Sequence, residues 1–156
     1  MEKTQEEVKK INVLIVEPEK NPVPAVISDT LEAEQEIVGG MIEAVYPFDD
    51  PVAIVCNEEG KINGMPLNRA LRDESGKIYD VLSGTFFICG LTDDSFGSLS
   101  PEMMQKYEKF FHCPEVFMRM GNEIRSFMVP DREPKDKDAA EKTKAVKQKK
   151  DSRDVL

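Results

Sequence analysis

The sequence predicts a single α+β domain, with a mostly antiparallel sheet, two main helices and a disordered, charged C-terminal tail. Three observations carry this. Short β-branched and apolar runs recur along the chain, each bounded by Pro, Gly, Asn or Asp. Only two segments place apolar residues at helical spacing. Beyond Pro130 apolar residues nearly vanish. With 156 residues the chain has room for one domain and a tail. Residues 1–10 read as a charged lead-in, 11–130 as the domain and 131–156 as the tail.

The elements follow in order. Asn12-Val13-Leu14-Ile15-Val16 is a continuous β-branched run that stops at Glu17-Pro18, which predicts a central strand. Asn21-Pro22-Val23-Pro24 is a stiff connection, and Ala25-Val26-Ile27 suits only a sheet edge, because proline lacks the N–H a central strand needs. Asp29 with Glu32 has capping-box spacing and predicts a helix start. Leu31, Gln35 and Val38 recur along that helix, and Gly39-Gly40 supplies its left-handed stop. Met41 to Tyr46 and Val52 to Cys56 read as strands, divided by a Pro47 to Pro51 turn.

Glu58-Glu59-Gly60 predicts a three-residue hairpin loop with Gly60 in the left-handed region, and Lys61-Ile62-Asn63 as the returning strand. Leu67 to Leu71 reads as a single helical turn. Ile78 to Leu82 and Thr85 to Cys89, divided by Ser83-Gly84, form either one bent strand or two short ones. Ser100-Pro101-Glu102 opens the second helix with an N-cap Ser, Pro at the first position and an acid in the first turn. Met104, Tyr107, Phe110 and Phe111 give it an aromatic stripe, expected to bury across the sheet. Val116 to Met118 and Ile124 to Val129 suit a hairpin around Gly121-Asn122. The tail is nearly all charge, which predicts disorder or a fraying helix; its lysines 142, 144, 147, 149 and 150 make it locally basic.

The net charge is −9. An acidic surface repels phosphate backbones, so the domain is not expected to bind nucleic acid, although the basic tail suits weak contact. The same charge suits docking onto a basic protein surface. No apolar run reaches the roughly 20 residues of a membrane span, and the polar start lacks a signal-peptide pattern. The expected location is the cytoplasm. Cys56, Cys89 and Cys113 are an odd set without CxxC spacing; the first two sit in apolar runs and read as core residues.

The segment from Asn57 to Leu71 holds more polar groups than a turn requires, and it is the candidate binding surface. Asn57, Glu58, Glu59, Lys61, Asn63, Asn68 and Arg69 are its candidate ligand- or partner-binding residues. Asn both donates and accepts, and Arg presents a planar fork of donors suited to phosphate, carboxylate or carbonyl. The structural alternative makes Asn68 a cap for the short turn and pairs Arg69 with an acid such as Glu58 or Asp73.

Catalytic patterns are weak. His112 is the one histidine, and its place at a helix end suits a cap. Three scattered Cys and one His do not match zinc-ligand spacings. There is no GxSxG elbow and no phosphate loop. The loop pairs Asp49-Asp50 and Asp93-Asp94 suit turns before acid/base work. Neither a catalytic residue, a metal nor a cofactor is expected, and a carboxylate-dependent enzyme is the weakest alternative.

Several strings together resemble a known family. They are Val16-Glu17-Pro18, Leu31…Val38-Gly39-Gly40…Ile42-Glu43, Cys56-Asn57-Glu58-Glu59-Gly60-Lys61, Pro66-Leu67-Asn68-Arg69-Ala70-Leu71, Gly84-Thr85-Phe86-Phe87 and Ser98-Leu99-Ser100. Over about residues 12–111 the chain is similar to domain of unknown function 3846, a family of bacteria, phages and conjugative elements. The resemblance implies a compact α+β domain and an accessory protein of a mobile element, with no activity to carry over. The expected function is a non-enzymatic inhibitor of a host defence protein, such as a CRISPR nuclease. The alternative is a small-ligand binder that sequesters a nucleotide signal.

Overall fold

A computed structural model describes residues 9–130. The tail expectation, and most of the lead-in, lie outside these residues. The elements are β1 (Lys10–Val16), β2 (Val23–Ser28), α1 (Leu31–Val38), β3 (Ile42–Val45), β4 (Val52–Asn57), β5 (Leu67–Arg72), β6 (Ile78–Ser83), β7 (Phe86–Leu91), β8 (Phe96–Gly97), α2 (Pro101–Phe110), β9 (Glu115–Met120) and β10 (Glu123–Met128). The fold is α+β, with every strand pairing antiparallel.

The main sheet runs β2-β1-β7-β4-β3, and the short β8 joins the far end of β7. β7 lies at its centre, and Phe86 to Gly90 are all buried. Alternation then builds two cores. Leu14, Val16, Val52, Ile54, Phe86 and Ile88 face α2 and the β5–β6 hairpin. Ile11, Val13, Ala53, Val55, Phe87 and Cys89 face α1. The edge placement of β2 agrees with its prolines. Cys56 and Cys89 are buried core residues whose thiols burial pushes up, to about 11 and about 12.

The helices start as capped segments but face differently than expected. The N-cap of α1 is Thr30, whose Oγ1 accepts from Ala33 N at 3.2 Å; Asp29 instead donates its backbone N–H to Lys9 O. Glu34 and Val38 point inward while Leu31 is 53% exposed, so the inward stripe is not Leu31–Gln35–Val38. In α2 the Ser100 cap and Pro101 stand as read. Tyr107 and Phe111 are buried one turn apart, and Phe110 is 59% exposed, its ring set edge-on to Phe48 at 5.3 Å. Phe111 takes the core position four residues after Tyr107, which leaves Phe110 off the buried stripe.

Two local readings are corrected. Leu67 to Leu71 is strand, not a helical turn. An isolated turn leaves its end groups unpaired, whereas β5 finds partners along β6. The register slips between Leu67↔Ser83 and Arg69↔Leu82, so Asn68 is a bulge residue. The stretch after β4 is not a hairpin with a returning strand. It winds through successive turns, with Asn63 N donating to Glu59 O and Met65 N to Gly60 O. The left-handed residue is Gly64 (φ 76°), not Gly60. Ser83-Gly84 divides two strands in separate sheets, and Gly84 turns at φ 78°.

Gly90 sits where β8 crosses close. A Cβ there would run into the Ser98 carbonyl oxygen, which is backbone and has no rotamer to give. Gly90→Ala should therefore lower stability by about 1–3 kcal/mol, read as a fall in the urea midpoint; an unchanged midpoint would show that the β7–β8 crossing is looser than this.

Candidate functional site

The segment singled out in the sequence divides into a buried frame and an exposed loop. Asn57 belongs to the frame. Its Nδ2 donates to Val38 O at 3.1 Å, satisfying a carbonyl at the end of α1, and its Oδ1 accepts from Glu59 N at 2.7 Å. Gly40 is packed against that amide, where a Cβ would come within 2.8 Å of Nδ2. The end of α1 and the turn after β4 thus hold each other.

Asn68 and Arg69 are also frame. Both have 0% exposure, because the bulge turns two successive side chains inward. Asn68 Nδ2 donates to Val16 O at 2.9 Å and Gly84 O at 2.8 Å, tying the end of β1 to the β6–β7 turn. Arg69 Nε and Nη2 both donate to Phe111 O, at 3.1 and 2.9 Å. Nη2 also reaches Lys20 O at 2.8 Å, and Nη1 reaches Asn68 Oδ1 at 2.9 Å. Arg69 has no carboxylate within ion-pair distance among the described residues; neither Glu58 nor Asp73 pairs with it. Its charge rests on the carbonyl end of α2, where the helix dipole is negative. Burial lowers its pKa, and the nearby Glu115 opposes that shift. As placed, neither side chain reaches solvent.

The ion pair in this region is Arg72–Glu115 at 3.0 Å. Glu115 is buried and also accepts from Ser126 Oγ at 2.5 Å. It pins the β9–β10 hairpin against β5. No local pattern marks this pairing, since its members are 43 positions apart and look like ordinary surface charges.

Glu58, Glu59, Lys61 and Asn63 form the exposed part. Lys61 Nζ pairs with Asp80 at 2.5 Å. Beneath this loop lies a cavity of about 240 Å³, lined in part by Asn57, Lys61, Ile62 and Ser83. The buried Ser83 Oγ has no hydrogen-bond partner among the described residues. A larger, open groove of about 840 Å³ lies between β6 and β10; Lys61, Arg72, Lys77, Arg125 and Tyr79 line it.

Charge is spread unevenly over the fold. Between Lys20 and Lys61 there is no Lys or Arg, but nine acids. Across residues 9–130 the other eleven acids are matched by eleven Lys and Arg. The whole surplus of the described residues therefore belongs to β2, α1, β3, β4 and their connections. β4 is buried, so the surplus emerges on α1, on β3, at the Asp49-Asp50 turn and at the Glu58-Glu59 turn beside the end of α1. Glu32, Glu36, Glu43, Glu58 and Glu59 are exposed and have no ion-pair partner among the described residues. The signal is the absence of both Lys and Arg over forty positions, which motif and periodicity reading does not register.

Elsewhere, Asp50 accepts from Lys106 Nζ (2.5 Å) and Tyr107 Oη (2.6 Å), which together hold its carboxyl below the usual range. His112 Nδ1 lies 3.1 Å from Glu108 Oε2, one turn back. Among the described residues no group of three or more His, Cys, Asp and Glu could hold a metal ion, and no helix is long and apolar enough to cross a membrane.

The model of domain of unknown function 3846 (DUF3846) matches residues 11–112, about two thirds of the chain, and the chain belongs to that family. Neither a curated protein nor a solved structure matches. The strings that carry the family resemblance meet in space: Asn57 on Val38-Gly39-Gly40, and Asn68 on Val16 and Gly84.

Arg69→Ala leaves the carbonyls of Phe111 and Lys20 without their donor and should cost about 3 kcal/mol; Glu58→Ala should stay within about 0.5 kcal/mol of the parent. Equal midpoints in urea for the two variants would contradict the burial of Arg69. Glu34 has its pKa raised by burial first and by Asp29 second. A raised carboxyl contributes stability that is full below its unfolded value of 4.5 and is lost as pH climbs through the folded value. Glu34→Gln should therefore be more stable than the parent at neutral pH, with the gap closing in acid.

Proposed function

We propose that this DUF3846 protein is a non-enzymatic binding protein of a mobile element, working in the cytoplasm. It docks its acidic face onto the basic, nucleic-acid-binding surface of a host protein and blocks it. A defence nuclease, such as a CRISPR nuclease, is the class of target that the mobile-element reading names. The observation that supports this is the concentration of the surplus charge between Lys20 and Lys61, where the exposed Glu32, Glu36, Glu43, Glu58 and Glu59 have no ion-pair partner among the described residues. Such a face attracts the surfaces that attract phosphate, and like charge turns nucleic acid itself away. Asn57 is a positioning residue here, since it fixes the turn that carries Glu58 and Glu59 to the end of α1. Asn68 and Arg69 support the frame behind it.

One observation favours the alternative, a small anionic ligand such as a nucleotide. The groove between β6 and β10 has the volume usual for ligand sites and gathers four cations and a tyrosine. Ion pairs already occupy Lys61, Arg72 and Arg125, which makes it the second reading. The 240 Å³ cavity under the Asn57 loop is below the usual ligand range.

The two readings separate in one series of measurements. Purified defence nucleases are titrated with the protein, and their binding to nucleic acid is followed. A target should be inhibited with an affinity that falls roughly tenfold or more from low to physiological salt. Replacing Glu32, Glu36, Glu58 and Glu59 together by Gln should abolish inhibition while leaving the thermal midpoint unchanged. Inhibition that survives those four substitutions sinks the acidic-face reading. A nucleotide retained in native mass spectrometry, and lost with Lys77→Ala and Arg125→Ala, would establish the groove instead.

A further inference from the structure

The β9–β10 hairpin touches the rest of the molecule with one face. Glu115 and Ser126 lie on that face and bond to Arg72 of β5. The register places Val116, Met118 and Met120 on the other face together with Phe127, and all four are exposed. A two-stranded hairpin is marginal alone, and an open strand edge beside an exposed apolar face is a template for a further strand. Methionines add an adaptable surface.

The register also says which backbone groups are open. Val129 N donates to Pro114 O at 2.8 Å, continuing the β9–β10 register past Met128↔Glu115. In an antiparallel pair, hydrogen-bonded and non-hydrogen-bonded positions alternate. Glu123, Arg125 and Phe127 therefore turn their backbone groups to β9, while Ile124, Ser126 and Met128 turn theirs outward. These three have no other backbone partner among the described residues.

We propose that β10 pairs antiparallel with β10 of a second copy, about a twofold axis through Ser126. In that register the outward groups of Ile124, Ser126 and Met128 meet their counterparts. Ile124 falls opposite Met128 of the partner subunit. Arg125 falls opposite Phe127 of the partner subunit, at the closer, non-hydrogen-bonded type of pair, where a guanidinium can lie over a ring. Glu123 falls opposite Val129 of the partner subunit, so no like charges face each other.

Charge and chain length favour a second copy as the occupant. Of the surplus acids, Glu32 and Glu36 stand on α1, across the main sheet from the face that β5 covers, and the hairpin stands on β5. The hairpin itself carries two acids and two arginines, so pairing there does not press the acidic faces together. Residues 131–156 follow β10 directly, but their apolar residues are Ala139, Ala140, Ala145, Val146, Val155 and Leu156. That set has no aromatic or long aliphatic anchor before the last residue and does not match the hairpin face.

Light scattering on the full chain should give twice 17.6 kDa. Met128→Pro removes one outward N–H and leaves the ladder to β9 intact, because Phe127 and Val129 carry those bonds. It should return the mass to that of the monomer with an unchanged circular dichroism spectrum. A second variant does not depend on that proline being tolerated. Arg125→Cys with Phe127→Cys, in a Cys113→Ser background, should oxidise to a covalent dimer. A parent that stays monomeric at sub-millimolar concentration overturns the proposal, and so does a dimer that neither forms this cross-link nor responds to Met128→Pro.

Discussion

The structure depends on a buried guanidinium that has no carboxylate within ion-pair distance among the described residues. Arg69 bonds to the carbonyl that ends α2, to the connection between β1 and β2, and to its own neighbour Asn68. Three parts of the chain far apart in sequence are fixed by one side chain. The desolvation cost of such a group is high, and it is offset only if each donor has a partner and the local field is negative. The C-terminus of α2 supplies both conditions. The helix that covers one core is therefore aligned by polar contacts at its end as well as by Tyr107 and Phe111 along its side.

Most of the fold was legible because its physics is local. Runs such as Asn12 to Val16 and Val52 to Cys56 alternate between two cores and need no partner to be recognised as strands. Ser100-Pro101 opens a helix by satisfying its own end groups. The failures share a different cause. Leu67 to Leu71 became strand because Asn68 bulges, and a bulge is a property of two strands. Phe110 and Leu31 look like stripe residues until the neighbouring surface decides which of two adjacent positions is covered.

The candidate site was legible as a region and not as a surface. The excess of polar groups from Asn57 to Arg69 has two origins that sequence cannot separate. Asn57, Asn68 and Arg69 are polar because they satisfy backbone carbonyls inside the domain. Glu58, Glu59, Lys61 and Asn63 are polar because they face water. Both demands select Asn, Arg and Glu. The charge asymmetry around them is a long-range pattern, and it gained meaning only once β4 was seen to be buried and α1 to lie outside.

The bulge at Asn68 also bears on how this family can vary in length. A bulge is one residue more on one strand than on its neighbour, and here that extra residue sets which way Arg69 points. Deleting a single position from β5 would restore a flat ladder and swing the guanidinium to the opposite side of the strand, away from the end of α2. Insertions in the loop that follows, residues 73–77, cost only the entropy of a longer closure. Relatives are free to differ in the size of that loop, while the count of residues from Pro66 to Leu71 is fixed by the aim of one side chain.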